Sequence, residues 1–223
     1  MTHKPETEVG SAPEATLLLA RRITAAQAAR RTRAIEAARH LAEEGGYAAV
    51  NVTDVALRAG FGRATLYRYF ASKDHLLAEV TARWGAEIIA DLRARPPRGA
   101  TAVERVAGVF GRVFQVAREK SRLTEAAVAA ALSSDPSAVA SWQSSTALVE
   151  GYLDSAFGGE PFPQREAAGR VLGYVFLSAL ILMTSGRVSA EDAVAQLATA
   201  VQLMLGERGR ATSHRSRPKA RGK

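Results

Sequence analysis

The sequence predicts an all-α protein of nine helices, in which a small N-terminal helix-turn-helix unit precedes a larger helical body. Three observations lead to this. Helix start and stop signals recur along the chain, and no stretch shows the alternation of a strand. Residues 51–77, NVTDVALRAGFGRATLYRYFASKDHLL, set two brief helical segments on either side of a tight turn. The net charge of +8 is also unevenly placed: −2 over residues 1–20, +6 over 21–73, −2 over 74–206 and +6 over 207–223.

The first helix is expected over about Arg22–Glu44, with Ile35, Ala38, Leu41 and Ala42 spaced for one buried face. Gly45-Gly46 ends it, because glycine tolerates the left-handed backbone of a helix C-terminus. Asn51 caps a second helix that reaches Ala59 and stops at Gly60. A third spans about Arg63–Phe70. Ser72 caps a fourth, with Asp74 in its first turn facing the positive end of the dipole, and Pro96-Pro97-Arg98-Gly99 breaks it after Ala94.

Thr101 and Glu104 carry the spacing of a capping box at the start of the fifth helix. A sixth covers Leu123–Leu132. Asp135-Pro136 opens a seventh that extends to about Phe157. Beyond Gly158-Gly159, an eighth ends at Gly186, and Ser189 caps a ninth that closes at Gly206. Four regions follow: an extension over 1–20 expected to be disordered, a head over 21–73, a body over 74–206 and a basic disordered tail over 207–223.

Composition narrows the functional classes. There is no cysteine, which removes disulfide and thiolate chemistry and favours a reducing, cytoplasmic setting. The longest apolar stretch, between Arg170 and Arg187, holds 16 residues, whereas a membrane span needs about 20. It reads as a buried helix, and no membrane partner is expected. His3, His40, His75 and His214 are scattered, with no metal-ligand cluster, phosphate-binding glycine loop or nucleophile elbow. No enzyme activity, cofactor or metal is expected.

In the basic head, Val52, Val55 and Ala56 share one face of the second helix, and Leu66 and Phe70 point inward from the third. At 100° per residue, Ala64, Tyr67 and Arg68 then fall in one outward arc, with Arg63 in the first turn and Thr65 and Tyr69 on the flank. Two arginines and phenolic hydroxyls with no carboxylate on that face suit phosphates and base edges. For Tyr69, completing the small core is an equally physical role.

These residues carry a resemblance. Ile35, Gly45-Gly46-Tyr47, Thr53-Asp54-Val55-Ala56, Ala59-Gly60, Thr65-Leu66-Tyr67-Arg68-Tyr69-Phe70 and Ser72-Lys73 together resemble the DNA-binding domain of TetR-family repressors over about 50 residues. The resemblance implies three DNA-binding helices and six that form a ligand-binding, dimerising body. It also implies that Thr53, Arg63, Ala64, Thr65, Tyr67, Arg68, Tyr69 and Lys73 approach double-stranded DNA at a palindromic operator. Arg63 and Arg68 are the candidates for base reading; Thr53, Tyr67, Tyr69 and Lys73 are those for phosphates. Gly62 departs from the pattern, since relatives often carry a polar residue there. Leu123-Thr124-Glu125-Ala126, the Ser134-Asp135 turn and the last two helices resemble actinobacterial regulators of sterol and lipid catabolism, which implies a lipid-like or acyl-CoA effector.

In the body, Phe110, Phe114, Trp142, Tyr152 and Phe176 either line a cavity for a small hydrophobic ligand or are plain core. The helix between Arg170 and Gly186 is apolar nearly all round, so it needs cover on more than one side. A homodimer through the last two helices, about 164–186 and 190–205, supplies it; the alternative is burial inside the monomer. The function expected is a sequence-specific repressor released from its operator by a hydrophobic ligand. The alternative is a lipid- or drug-binding helical protein whose head has only non-specific DNA affinity.

Overall fold

In a computed structural model of the chain, residues 25–143, 153, 156 and 165–213 are described. All of their regular structure is helical. The head comprises α1 (Ala25–Ala49), α2 (Val52–Ala59) and α3 (Arg63–Tyr67). The body comprises α4 (Lys73–Ala94), α5 (Ala102–Glu119), α6 (Ser121–Ala131), α7 over 136–143, α8 (Arg165–Thr184) and α9 (Ala190–Ser213).

Local side-chain chemistry sets most of the boundaries. α1 loses helical geometry at Gly45 and Gly46, and Gly46 takes the left-handed φ of +69°. A side chain at Gly46 would also collide with the Glu125 carboxylate, its Cβ coming within 2.7 Å of Oε2, so glycine lets α6 close on this turn. The Asn51 side chain accepts from Thr53 N–H at 2.8 Å, and Gly60, at φ +77°, closes α2. Ser72 caps α4 through His75 N–H. The Thr101–Glu104 capping box forms in both directions. Asp135 Oδ1 caps α7 by accepting from Ser137 and Ala138 N–H at 2.9 and 3.0 Å.

Several expected boundaries differ: α1 is helical again after Gly46, to Ala49, and α8 ends at Thr184, not Gly186. α3 ends at Tyr67, not Phe70: the amides of Tyr69 and Phe70 both bond back to Leu66 O, in a tightened turn that still drives Phe70 into the core. α6 begins two residues early, at Ser121, directly on the end of α5. α9 continues through Gly206 to Ser213, taking seven residues from the segment expected to be a disordered tail. A glycine inside a helix costs only about 1 kcal/mol, and the following Glu, Arg and Ala residues favour helix. The expected continuation of α7 to Phe157 falls largely outside the described residues.

Two apolar clusters organise the chain. One joins α1, α2 and α3 to the start of α4 and to Leu123, Ala126 and Ala130 of α6, with Leu66 and Phe70 buried at its centre. The head thus rests on α6, which packs most closely against α1. The other lies within the body, among α4, α5, α8 and α9, around Phe110, Phe114, Leu172 and Leu197. Thr124, a buried polar residue at the α5–α6 corner, donates its hydroxyl to Ala117 O and Lys120 O. α8 is less covered than its composition demands. Val171 and Tyr174 are exposed on it, as is Leu203 on α9.

Candidate nucleic-acid interface

The outward surface of α3 follows from what anchors its inner one. Val55, Ala56 and Ala59 are buried on α2, and small Ala56 allows α3 to cross closely. Leu66 is buried from α3 itself. With that side fixed, Arg63, Ala64, Tyr67 and Arg68 face solvent, Tyr67 being 49% exposed. Thr53 is exposed at the first turn of α2, and Thr65 is half-buried beside the outward arc. The N-cap of α3 is Gly62, which offers no side-chain cap, so the first amides of α3 gain no hydroxyl or carboxylate partner from that residue.

Tyr69 and Lys73 sit differently. Tyr69 is half-buried, its ring 6.4 Å from Phe61 and 6.5 Å from Phe70, and it packs on the head's core. Its ring therefore does core work, as its flank position allowed. Lys73, at the start of α4, holds its ammonium 3.7 Å from the centroid of the Tyr47 ring. Partial burial pulls the Lys73 pKa down from its ordinary value, with the neighbouring Asp74 charge acting in the opposite sense.

Electrostatic pairing separates this surface from the rest of the head and its junction with the body. Arg31 pairs with Glu79, Arg39 with Glu43 and Glu87, Arg58 with Glu44, Arg83 with Glu36, and Lys120 with Glu43. Arg33 Nε donates to Ala59 O at 3.1 Å and ties α1 to the end of α2. The pairs are mutual: Arg58 holds the Glu44 carboxyl below its ordinary pKa. Arg63 and Arg68 have no carboxylate partner among the described residues. Arg30 and Arg33 of α1 also lack a carboxylate partner among the described residues, Arg33 bonding instead to Ala59 O; an exposed cation with no carboxylate beside it is available to an external anion.

The aromatic residues of the body divide. Phe110 and Phe114 are buried, and both rings pack on Phe176, with centroids 5.5 and 5.2 Å away. Trp142 is half-buried on α7, apart from that trio in sequence and element. Tyr152 lies outside the described residues. None of the four described ones lines either of two surface clefts, of about 420 Å³ by Arg118, Arg122 and Glu125 and about 650 Å³ by Arg95, Arg98 and Arg112. Two features escaped sequence reasoning: the seat of Lys73 on Tyr47, and the hydrogen bonds that Asp74 accepts from Tyr47 and Ser133. These partners are 26, 27 and 59 positions apart, and no local periodicity reports such pairings.

Comparison with known proteins identifies the family. Residues 34–80 match the family described as "Bacterial regulatory proteins, tetR family", and residues 99–204 match "Tetracyclin repressor-like, C-terminal domain". The chain is 36% identical over 186 residues to the HTH-type transcriptional repressor KstR of Rhodococcus jostii (strain RHA1), covering 83% of this chain and 87% of that one. A crystal structure of a TetR transcriptional regulator from Rhodococcus sp. RHA1 superposes with a TM-score of 0.74 at 28% identity, covering 81% of this chain and 97% of that chain. FadR from Bacillus subtilis, solved in complex with stearoyl-CoA, shares the fold at a TM-score of 0.56 and 18% identity, covering 78% and 97% of the two chains. With a helix-turn-helix head that turns Arg63 and Arg68 outward, the chain belongs to the TetR family of DNA-binding transcriptional regulators.

Proposed function

We propose that a homodimer of this chain represses transcription by binding a palindromic operator, and releases it when a small hydrophobic ligand enters the body. The observation that carries the DNA half is the pair of outward, unpaired guanidinium groups, Arg63 and Arg68, on a helix anchored by buried Leu66. In this reading α3 enters the major groove, Arg63 and Arg68 read base edges, and Ala64 and Thr65 lie against them. Thr53, Tyr67 and Lys73 hold phosphates, and Tyr69 adds a hydroxyl at the rim of a ring that is mainly core. Head (21–73) and body (74–206) act as the two functional units, in the cytoplasm.

Dimerisation through the last two helices, about 164–186 and 190–205, is supported by the apolar side chains left uncovered there: Tyr174 is 69% and Leu203 72% exposed. A two-fold dimer would set its α3 helices about 34–36 Å apart, one turn of DNA. For the effector, support comes from the Phe110–Phe114–Phe176 cluster and from the stearoyl-CoA held by FadR on the same fold. A lipid-like or acyl-CoA ligand would have to part these packed rings, and its apolar chain would replace the contacts they lose.

Gel-shift competition using DNA that flanks the protein's own gene tests the first half. Unlabelled flanking DNA should compete far better than random DNA of equal length. Equal competition would favour a helical ligand-binding protein with only non-specific DNA affinity.

A further inference from the structure

Lys73, Asp74, Tyr47 and Ser133 form a connected group at the joint between head and body. Tyr47 Oη donates to Asp74 Oδ1 at 2.7 Å, and Ser133 Oγ donates to Asp74 Oδ2 at 2.7 Å. Both carboxylate oxygens of Asp74 are therefore engaged by neutral hydroxyls, one from the head and one from the α6–α7 turn. The adjacent Lys73 ammonium forms no ion pair among the described residues and rests on the face of the Tyr47 ring. Such a seat is weak enough to leave the ammonium exchangeable. The Asp74 hydrogen bond holds the Tyr47 phenol above its ordinary pKa, and a phenol is protonated at neutral pH in any case.

Ser133 is in turn positioned by the body. Its Oγ accepts from Asp135 N–H at 3.2 Å, and the Asp135 side chain caps α7. A displacement of α7 that carried Ser133 away would leave Asp74 Oδ2 without its donor. The nearest cation along the chain is Lys73, and a freed carboxylate forms a stronger, charge-assisted bond with an ammonium than with a hydroxyl.

We propose that Ser133 and Tyr47 hold the Asp74 carboxylate off Lys73, so that opening of the α6–α7 turn lets Asp74 capture the ammonium and withdraw one DNA phosphate contact from each protomer. This rests on the assignment of Lys73 to a phosphate. It makes Ser133 a positioning residue that never touches DNA.

The test is the salt dependence of binding by the full-length dimer to a palindromic duplex selected by the wild-type protein from a random library. Each phosphate contact adds about 0.9 to the slope of log affinity against log salt concentration. Lys73→Ala should flatten the slope by about that amount per protomer. Ser133→Ala should flatten it in the same direction, and Ser133→Thr should retain the wild-type slope. Ser133→Ala should add nothing in a Lys73→Ala background, and Asp74→Asn should restore the slope lost in Ser133→Ala. A wild-type slope for Ser133→Ala, beside a flattened one for Lys73→Ala, overturns the proposal alone. An unchanged slope for Lys73→Ala overturns the phosphate assignment and the proposal with it. In the unaltered protein, the Lys73 ε-methylene protons should show an upfield ring-current shift from Tyr47. Their absence from that position would overturn the seat on which the proposal stands.

Discussion

α3 and α8 both leave side chains in solvent that a monomer has no use for, and they do so in opposite chemical languages. α3 presents Arg63, Tyr67 and Arg68 with no carboxylate partner among the described residues, while most arginines around it are paired. α8 presents Val171 and Tyr174, with Leu203 of α9 also exposed. An unpaired cation in water is well solvated and costs nothing to display, so it can wait for a polyanion. An apolar face gains from any surface that excludes water, at about 25 cal/mol per Å², and is best matched by a second copy of itself. In the proposed reading the two faces divide the protein into a side that meets DNA and a side that meets its partner.

The comparison is broken most completely by removing what holds α3 in place. Phe70→Ala deletes a buried ring of the head's core and should cost about 3–5 kcal/mol of stability. Thermal unfolding followed by circular dichroism measures this, and DNA binding should vanish while the body's own cluster still unfolds cooperatively. Tyr174→Glu acts on the other face. It should shift sedimentation from dimer to monomer and weaken operator binding by orders of magnitude, since a monomer engages only one half-site.

Smaller effects sharpen the contrast. Arg68→Ala should relax base preference at one position in each half-site, by about 1–3 kcal/mol of discrimination, as read from affinities for a panel of single-base operator variants. Tyr67→Phe removes one hydroxyl and should weaken binding to all sequences by about 1 kcal/mol, leaving their ranking intact. Equal losses on specific and random DNA for Arg68→Ala would place that guanidinium on the backbone instead.

What could be read in the sequence was whatever depends on near neighbours. Asn51, Gly60, Ser72 and the Thr101–Glu104 box set helix ends through contacts within four residues, and each forms as its spacing requires. The outward face of α3 was equally legible, because Leu66 and Phe70 fix the rotation of the residues between them. The ends of α3 and α9 were not, since each balances local preference against packing: Phe70 is held by a turn rather than a helix, and Gly206 is carried through. The seat of Lys73 on Tyr47 and the double engagement of Asp74 were also out of reach, because they depend on how α1, α4 and the α6–α7 turn meet. In the body, aromatic spacing left Phe110, Phe114, Trp142, Tyr152 and Phe176 as either cavity lining or core, and gave no sign that Phe110 and Phe114 would close on Phe176 while Trp142 stood apart.

In the proposed reading α3 reads base edges through Arg63 and Arg68. Selection of bound duplexes from a random-sequence library, run in parallel with the wild-type dimer and an Arg63→Ala/Arg68→Ala variant of unchanged fold, tests it most directly. The wild type should enrich a palindrome with half-sites about 10 base pairs apart, and the variant should enrich no consensus. Recovery of the same palindrome by both proteins, with equal affinity, would contradict the account.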